Sequence, residues 1–333
     1  MDSFTLLLII FITSLLFEFA NGWNDAANSI ATIVSTRVLS PLLAVGWAAF
    51  WNFVAAFVFG TAVAKTIGKG LVRLDAVNEY ILISALFGAI LWTAACTYFG
   101  LPISVSHSLM GGLGGAAILH AGLQSIIING WILPVAFIVL SPLIGLALGL
   151  ILMVIVSWLV WDKAPRRVDR WSRRLQLLSA AAFSLGHGTN DAQKGMGIIT
   201  AGLVTSGALK SYDVPFWVIV SCYAAIAAGT MAGGWRVIKT MGQRITKLRP
   251  VDGFCAETAA ATCLMGTALT GIPVSTTHTI TGAIMGVGSV HRLSAVRWGI
   301  AGRIIWAWVL TIPVSGLFAA AIFAVIHHFI PAA

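Results

Sequence analysis

The stretch Asn21-Gly22-Trp23-Asn24-Asp25-Ala26-Ala27-Asn28 is polar although apolar runs flank it, and it has a second copy later in the chain. The second copy reads His187-Gly188-Thr189-Asn190-Asp191-Ala192-Gln193-Lys194. An offset of 166 residues, from position 24 to position 190, aligns the two Asn-Asp pairs and also the glycines that precede them. The chain of 333 residues is therefore predicted to contain two copies of one unit.

The composition indicates a membrane protein. Hydrophobic residues make up 59% of the chain and charged residues 9%, which is more apolar surface than a soluble domain of this length could bury. We predict an all-α integral membrane protein that lies in the lipid bilayer. Ionisable groups are costly inside a bilayer, so acidic residues in or beside apolar segments need an explanation. Four of them are in that position: Glu18, Asp25, Asp191 and Glu257.

The net charge of +9 comes largely from basic clusters between apolar segments. Such clusters are typical of cytoplasmic loops that lie near anionic lipid, and no basic groove interleaved with aromatic residues indicates a nucleic-acid partner. We place the basic linker 162–174 in the cytoplasm. It separates a first transmembrane repeat, 1–161, from a second, 175–333.

A second pair of motifs recurs in the same order. Leu101-Pro102-Ile103-Ser104-Val105-Ser106-His107-Ser108 matches Gly271-Ile272-Pro273-Val274-Ser275-Thr276-Thr277-His278 at an offset of 171 residues, from position 104 to position 275. Proline at a helix start, followed by small residues, predicts a tightly packed half-helix. The apolar flanks of the first motif, 4–20 and 26–36, are short for a span of ~20 residues, which predicts a broken or re-entrant helix there.

Duplicated halves with interrupted helices are the pattern of a secondary transporter whose site lies at the repeat interface. We predict two inverted repeats, each with a broken or re-entrant helix, and half-helices that meet at a central site. Charge does not fix the topology, because the segment around Lys65 and the segment around Arg236 are both basic. Inverted repeats would place these segments on opposite faces, whereas the positive-inside rule favours the cytoplasm for both.

The repeated carboxylates are the first candidate site residues. Asp25 and Asp191 occupy equivalent positions in the two halves, and an intramembrane carboxylate is by default a functional hypothesis. A buried helix cap is the alternative role. Asn24, Asn28 and Asn190 add amide oxygens, so the motifs together offer an all-oxygen environment for a hard cation such as Na⁺.

Hydroxyl residues at the half-helix starts are candidate anion ligands, because helix N-termini present free N–H groups and partial positive charge. Capping of the helix is again the alternative for each one. The candidates are Ser104, Ser106, Ser108, Ser275, Thr276, Thr277 and Thr279.

Histidines and one lysine complete the candidate set. His107, His187 and His278 could relay protons or could simply pack between helices. Lys194 stands where the first repeat has Asn28, and it could contact an anion, neutralise Asp191 or pair with Glu257. A metal site of His and Asp residues stays open, although no close ligand spacing supports it.

An anion beside two carboxylates would be repelled by about 4 kcal/mol per charge pair at ~4 Å with an effective dielectric constant of ~20. Cations or protons must therefore sit between them. This requirement favours cation-coupled symport, in which the coupling ion completes the anion site.

With these motifs in view, the chain resembles the inorganic phosphate transporter (PiT) family over nearly its whole length. The two Gly-x-Asn-Asp stretches resemble the duplicated signature of that family, and the two proline-serine-histidine segments resemble its second motif pair. The resemblance implies inverted repeats with re-entrant hairpins and symport of phosphate with Na⁺ or H⁺. It further implies a bacterial plasma or inner membrane location, no enzyme activity and no cofactor beyond the coupling ion.

The resemblance also implies roles for individual residues. Asp25 and Asp191 would serve cation coupling, and Asn24, Asn190 and the hydroxyl clusters would line the shared cation and phosphate site. His187 and Glu257 match functionally sensitive positions. The chain departs from the family pattern at two residues: Asn52 stands where many Na⁺-coupled members carry Glu, and Lys194 replaces an Asn. Both departures leave H⁺ coupling open.

Three alternatives remain at this point. A sulfate or other oxyanion permease would use the same half-helix N-termini. An intramembrane hydrolase would use Ser104, Ser106 or Thr277 with His107 or His278, but adjacent residues of a helix do not face each other and no Gly-x-Ser-x-Gly elbow is present. A passive anion channel would ignore ion gradients. The long apolar faces make a homodimer a further candidate.

Overall fold

The protein is all-α, as predicted. The computed structural model describes residues 2–58, 60–272 and 274–330, and Pro273 of the second motif pair lies outside them. Within these ranges the regular structure is helical, apart from one isolated bridge between Val72 and Ile126. The first repeat contains α1 (Ser3–Ser35), α2 (Pro41–Val54), α3 (Ala62–Lys69), α4 (Glu79–Phe99), α5 (Val105–Ala121) and α6 (Ile128–Leu159).

The second repeat has the same helix order. It contains α7 (Pro165–Asp191), α8 (Gln193–Thr205), α9 (Phe216–Ala232), α10 (Trp235–Lys239), α11 (Pro250–Thr270), α12 (Thr276–His291) and α13 (Trp298–Phe329). Helices α7 and α8 together correspond to α1, and α11 to α13 correspond to α4 to α6. Among the described residues, four single helices are long and apolar enough to cross a membrane: α1, α4, α6 and α13.

The break expected at the first Asn-Asp motif is wrong, because α1 is continuous through it. Its polar side chains find partners on other helices, so the backbone keeps its own helical hydrogen bonds, as the membrane interior requires. Gly22 serves close packing instead of a bend: a Cβ atom there would lie 2.1 Å from the Ile226 carbonyl oxygen of α9. The second motif is nearly continuous too, since Ala192 between α7 and α8 still donates to the Gly188 carbonyl.

The re-entrant elements are two hairpins built from the second motif pair. In the first, α4 and α5 pack antiparallel, and a Cβ on Gly112 would lie 2.6 Å from the Ala85 carbonyl oxygen. In the second, α11 and α12 do the same, and His291 at the end of α12 reaches Asp252 in the first turn of α11 at 2.9 Å. The tips meet in the interior, where Thr277 Oγ1 donates to the Ile103 carbonyl at 2.8 Å. The predicted half-helices therefore start at one central place.

Each half-helix packs on the last helix of the other repeat. Glycines spaced by four residues let the backbones approach, as in membrane helix pairs generally. On α12, Cβ atoms at Gly282 and Gly286 would lie 2.1 and 2.2 Å from the Pro142 and Leu146 carbonyl oxygens of α6. On α5, Gly111 and Gly115 approach α13 in the same way. The two repeats thus interlock.

The helix directions show that the repeats are inverted. The chain after α5 pairs with the chain after α3, since Ile127 N donates to the Leu71 carbonyl at 3.0 Å. Helix α6 begins at this face, and its 32 residues extend about 48 Å, which takes it to the other face. Helix α12 runs parallel to α6 and so ends at that other face. The two half-helices therefore leave the centre in opposite directions.

The basic segments lie at both faces and are partly helical. We call the face that holds residues 160–164 the linker face and the face that holds residues 206–215 the terminal face. The segments expected to be basic loops continue as helices to Lys69, in α3, and to Arg244, in the π-helix Thr240–Arg244. Likewise, all but residues 162–164 of the predicted linker belong to α7.

Basic residues concentrate at the linker face. Those in its connections and in the first turns of α7 are Arg37, Lys163, Arg166, Arg167, Arg170, Arg173, Arg174, Lys247, Arg249, Arg292 and Arg297. The terminal face has Lys65, Lys69, Arg73 and Lys210. The contact of Lys65 with Asp213 at 4.0 Å places both residues there. The segments around Lys65 and Arg244 therefore lie on opposite faces, although both are basic.

Candidate functional site

The repeated carboxylates meet where α1 crosses α7. Asp25 and Asp191 are fully buried, and His187 lies between them with its Nε2 atom 3.8 Å from Asp25 Oδ2 and 3.5 Å from Asp191 Oδ2. One ligand atom from each of these three residues lies within 4.8 Å of the others. The two halves of the chain thus place their matching acids at one point.

The start of α12 faces these carboxylates. Thr276 Oγ1 lies 3.4 Å from Asp25 Oδ2 and 3.5 Å from Asp191 Oδ2, so one hydroxyl reaches both acids. Thr277 Oγ1 lies 3.2 Å from Asp25 Oδ1, and the amide of Asn28 donates to both threonine hydroxyls at 3.3 and 2.9 Å. The two repeated motif pairs, which are far apart in sequence, therefore form one cluster.

The asparagine side chains of the two Asn-Asp motifs have buried amide oxygens that accept no hydrogen bond from the described residues. Asn24 Nδ2 donates to Thr97 Oγ1 at 2.7 Å, and Asn190 Nδ2 donates to the Gly186 and Leu264 carbonyls at 2.9 and 3.1 Å. Within the part of the chain that the structure describes, no group donates to four buried amide oxygens, the Oδ1 atoms of Asn21, Asn24, Asn28 and Asn190. Buried polar atoms are normally paired, so these oxygens are available to a cation.

Serine caps begin both half-helices. Ser104 accepts a hydrogen bond from the His107 N–H at 3.3 Å, and Ser275 accepts one from the His278 N–H at 3.2 Å. Ser106 lies buried in the first turn of α5. The capping role considered from the sequence is thus present for two hydroxyls. The positive ends of both helices nevertheless point to the interior, which suits an oxyanion.

The three histidines have different surroundings. His187 contacts both carboxylates, and its Nδ1 atom lies 3.2 Å from Asn52 Oδ1. His107 and His278 face each other with ring centroids 5.1 Å apart, and the His278 ring stacks on Trp308 at 3.8 Å. A relay role therefore has direct geometry only at His187, whereas the other two pack beside the hairpin tips.

Lys194, the second residue of α8, also contacts the cluster. Its Nζ atom lies 2.9 Å from Asp191 Oδ1, and the side chain is 1% exposed. Of the two protein partners considered from the sequence, Asp191 and Glu257, Lys194 contacts Asp191. The pairing with Glu257 does not occur, because Glu257 contacts other residues.

Comparisons with known proteins agree with this geometry. Residues 21–319 match the model of the phosphate transporter family. The chain belongs to this family. It is 53% identical over 319 residues to a probable low-affinity inorganic phosphate transporter of Rhizobium meliloti, with 96% of each chain covered. It is 42% identical over 325 residues to a protein of the same description from Bacillus subtilis, with 97% of each covered.

A solved structure supports the same family assignment. The structure described as the sodium-dependent phosphate transporter superposes with a TM-score of 0.90 at 26% sequence identity, and it covers 97% of this chain and 99% of its own. The relatives are transporters, so this member of the phosphate transporter family is not an enzyme. The hydrolase considered from the sequence is excluded.

In this family member, Glu257 lies away from the central cluster. Its carboxylate accepts hydrogen bonds from Thr32 Oγ1 at 2.6 Å, Gln176 Nε2 at 3.0 Å and Ser179 Oγ at 2.5 Å. It lies on the linker side of the crossing, beside the last turns of α1. Glu257 was predicted to bind the coupling cation. From its location it can do so only at a second position, on the linker side of the Asp25–Asp191 cluster.

Sequence reasoning left several contacts unassigned. Glu18 stood out as a charge in an apolar run, and it accepts hydrogen bonds from Gly195 N at 2.6 Å and Asn21 Nδ2 at 3.3 Å. Thr97, which orients Asn24, carried no signal, because a threonine in an apolar helix is common. Asn52 was noted only through the family resemblance, and it is a direct neighbour of His187.

Replacing Glu257 with glutamine is expected to destabilise this transporter by about 1.5–3 kcal/mol. The amide group would place N–H donors opposite Thr32, Gln176 or Ser179, and hydrogen bonds to a charged acceptor contribute about this much each. Thermal unfolding in detergent measures the effect. Glu79→Gln, in the first turn of α4, is the control and should change stability little. An unchanged melting temperature in Glu257→Gln would show that this carboxyl group already holds a proton.

Proposed function

We propose that this protein imports inorganic phosphate by symport with a cation, H⁺ or Na⁺, through alternating access. The observation that carries the proposal is the meeting of Asp25 and Asp191 at Thr276, on the N-terminus of a half-helix. The helix N-terminus attracts an oxyanion, whereas the carboxylates repel it. A cation between them removes this conflict, so each ligand raises the affinity of the other.

The proposed roles follow the geometry of the cluster. Carboxylates and amide oxygens take the coupling cation, and hydroxyls, helix N-termini and an ammonium group take the phosphate. No cofactor enters the cycle. The proposed cation ligands are Asp25, Asp191 and Asn28 in the cluster and Glu257 at a second position on the linker side, with Na⁺ at the two aspartates if Na⁺ is the coupling ion. The proposed phosphate ligands are Ser104, Ser106, Ser275, Thr276, Thr277 and Lys194, and Asn24 and Asn190 are proposed to line the boundary that the phosphate shares with the cation. The proposed proton-relay groups are His187, in contact with both carboxylates, and His107 and His278, beside the hairpin tips.

Alternating access is supported by the inverted hairpins. The α4–α5 hairpin enters from the terminal face and the α11–α12 hairpin from the linker face, and their tips meet at the proposed site. A movement of either interlocked pair, α5 with α13 or α12 with α6, would open the site to one face. Equivalent packing in the two repeats supports two states of similar free energy.

Sulfate is the second candidate substrate, because the same helix N-termini accept any tetrahedral oxyanion. The carboxylates favour phosphate, since at neutral pH phosphate still carries a proton that it can donate to Asp25 or Asp191, whereas sulfate does not. The names of the relatives favour phosphate as well.

Uptake into proteoliposomes tests the proposal. Labelled phosphate should accumulate above its equilibrium level when a Na⁺ or H⁺ gradient is imposed and should not accumulate without one. Excess unlabelled sulfate should compete weakly. Uptake that ignores both gradients would indicate a passive channel, and full competition by sulfate would assign a different substrate.

The protein is a multi-pass membrane protein, and we place it in the bacterial plasma membrane with its linker face in the cytoplasm. The excess of Lys and Arg at that face supports this orientation under the positive-inside rule. Exposed apolar side chains such as Leu42, at 79%, and Trp161, at 89%, suit contact with lipid. Homodimer formation through such faces stays a prediction.

The orientation predicts opposite labelling of two engineered cysteines. Lys210→Cys, at the terminal face, should react with a membrane-impermeant maleimide in intact cells. Lys163→Cys, at the linker face, should react only after permeabilisation. The four native cysteines are buried, which keeps the background low. The reverse pattern would invert the assigned orientation.

A further inference from the structure

One of the differences between the two repeats at the central site exchanges an amide for an ammonium group. The offset that aligns Asp25 with Asp191 also places Asn28 opposite Lys194. Asn28 uses its amide N–H groups on Thr276 and Thr277, and its Oδ1 atom accepts no hydrogen bond from the described residues. The first repeat therefore presents an unpaired oxygen at this position, whereas the second presents an ammonium group.

The ammonium group of Lys194 is built into the cluster. Lys194 is the second residue of α8, three positions after Asp191, and its side chain is 1% exposed. Its Nζ atom lies 2.9 Å from Asp191 Oδ1, which leaves little room for another cation at this oxygen. Glu18, the acid of α1 besides Asp25, is engaged by the N–H groups of Gly195 and Asn21. The positive charge of Lys194 therefore belongs to Asp191.

We propose that the Lys194 ammonium group is a fixed internal cation that takes the place of a transported Na⁺ at Asp191. This narrows the proposed position of a cation from solution, from both aspartates to the first-repeat half, where Asp25 and the free oxygens of Asn24 and Asn28 lie. Lys194 thus sets how many ions accompany the anion. The inference rests on the proposed function, because it concerns the cation half of that symport site.

Charge explains why the two cations exclude each other. A Na⁺ ion bound to Asp191 would lie about 4 Å from the Lys194 nitrogen, and repulsion between two unit charges at that distance lowers affinity roughly a thousandfold. An amide at position 194 would turn this repulsion of Na⁺ into attraction, since it would offer an oxygen ligand as Asn28 does.

The test converts the second repeat to the first. Purified wild type, Lys194→Asn and Lys194→Gln are compared for equilibrium binding of ²²Na⁺ with inorganic phosphate present. Both amide variants should bind one more Na⁺ per chain than the wild type, at concentrations where the wild type shows no second site. Lys194→Arg, which keeps the charge, should resemble the wild type. Lys210→Asn, an exposed lysine lost outside the site, should also resemble it.

The outcomes separate the inference from the proposed function. Equal Na⁺ binding in the wild type and both amide variants would overturn the inference, and so would an extra Na⁺ in Lys194→Arg. An extra Na⁺ in either folded amide variant supports it, even if one of the two fails to fold. Phosphate accumulation by wild-type proteoliposomes tests the symport separately: without it the proposed function fails, whatever the binding data show.

Discussion

Replacing Asp25 or Asp191 with asparagine is expected to lower phosphate uptake roughly a thousandfold. Asparagine keeps the size of the side chain and can still accept from Thr276 or Thr277, but it removes a charge that the cation side of the site needs: at Asp25 the charge that holds the coupling cation, and at Asp191 the charge that holds the Lys194 ammonium group. A carboxylate and a cation about 4 Å apart attract by about 4 kcal/mol at an effective dielectric constant of ~20, which corresponds to about three powers of ten. Initial rates in proteoliposomes with an imposed gradient measure the loss.

Asp213→Asn is the matched control, because Asp213 is an exposed acid in the connection 206–215. Its uptake should stay within about twofold of wild type, since surface ion pairs contribute little. Gradient-driven accumulation that survives in both Asp25→Asn and Asp191→Asn would place the coupling cation elsewhere. Glu257, buried on the linker side of the crossing, would then be the next residue to replace.

The same two variants should differ in stability. Asp191→Asn leaves the Lys194 ammonium group buried without its partner, and breaking a buried ion pair in this way costs about 3–5 kcal/mol. Asp25→Asn leaves no such charge. The double variant Asp191→Asn with Lys194→Asn should recover much of the lost stability while uptake stays low. Thermal unfolding without this recovery would show that the two side chains are not coupled.

Much of this arrangement could be predicted from the sequence because both motifs occur twice in the chain. The repeated motifs marked two equivalent pairs of residues as candidates, Asp25 with Asp191 and Ser104 with Ser275. In the structure, Thr276 and Thr277 of the second motif pair contact the carboxylates of the first. The apolar composition alone indicated helices in a bilayer. Duplication supplied the long-range contact that hydrophobic periodicity cannot give.

The path of the chain at the first motif could not be predicted in the same way. Polar residues in an apolar run usually indicate a break, yet α1 continues through Asn24 and Asp25, where Thr97 of α4 accepts a hydrogen bond from the Asn24 amide and Thr277 of α12 donates one to Asp25. Those partners are distant in sequence. The surroundings of Glu257 were hidden for the same reason, since Thr32 lies on α1 whereas Gln176 and Ser179 lie on α7.

Replacing Gly282 with alanine should damage both stability and transport. A Cβ atom at this position would lie 2.1 Å from the Pro142 carbonyl oxygen, which belongs to the backbone of α6 and cannot rotate away. Helix α12 must therefore move outward, and overpacking of this kind costs about 1–3 kcal/mol. Thermal unfolding in detergent should show a lower melting temperature.

The displacement should also reach the site, because Thr276 and Thr277 lie on the same short helix less than two turns away. A shift of about 1 Å in groups that position a substrate can cost roughly a hundredfold in rate, so uptake should fall further than the amount of folded protein does. Gly302→Ala is the control: a Cβ there meets no atom within 4 Å, and alanine in a helix should be neutral or slightly stabilising. If both variants keep wild-type stability and uptake, α12 does not need its close contact with α6, and the interlocked packing does not hold the hydroxyls at the carboxylates.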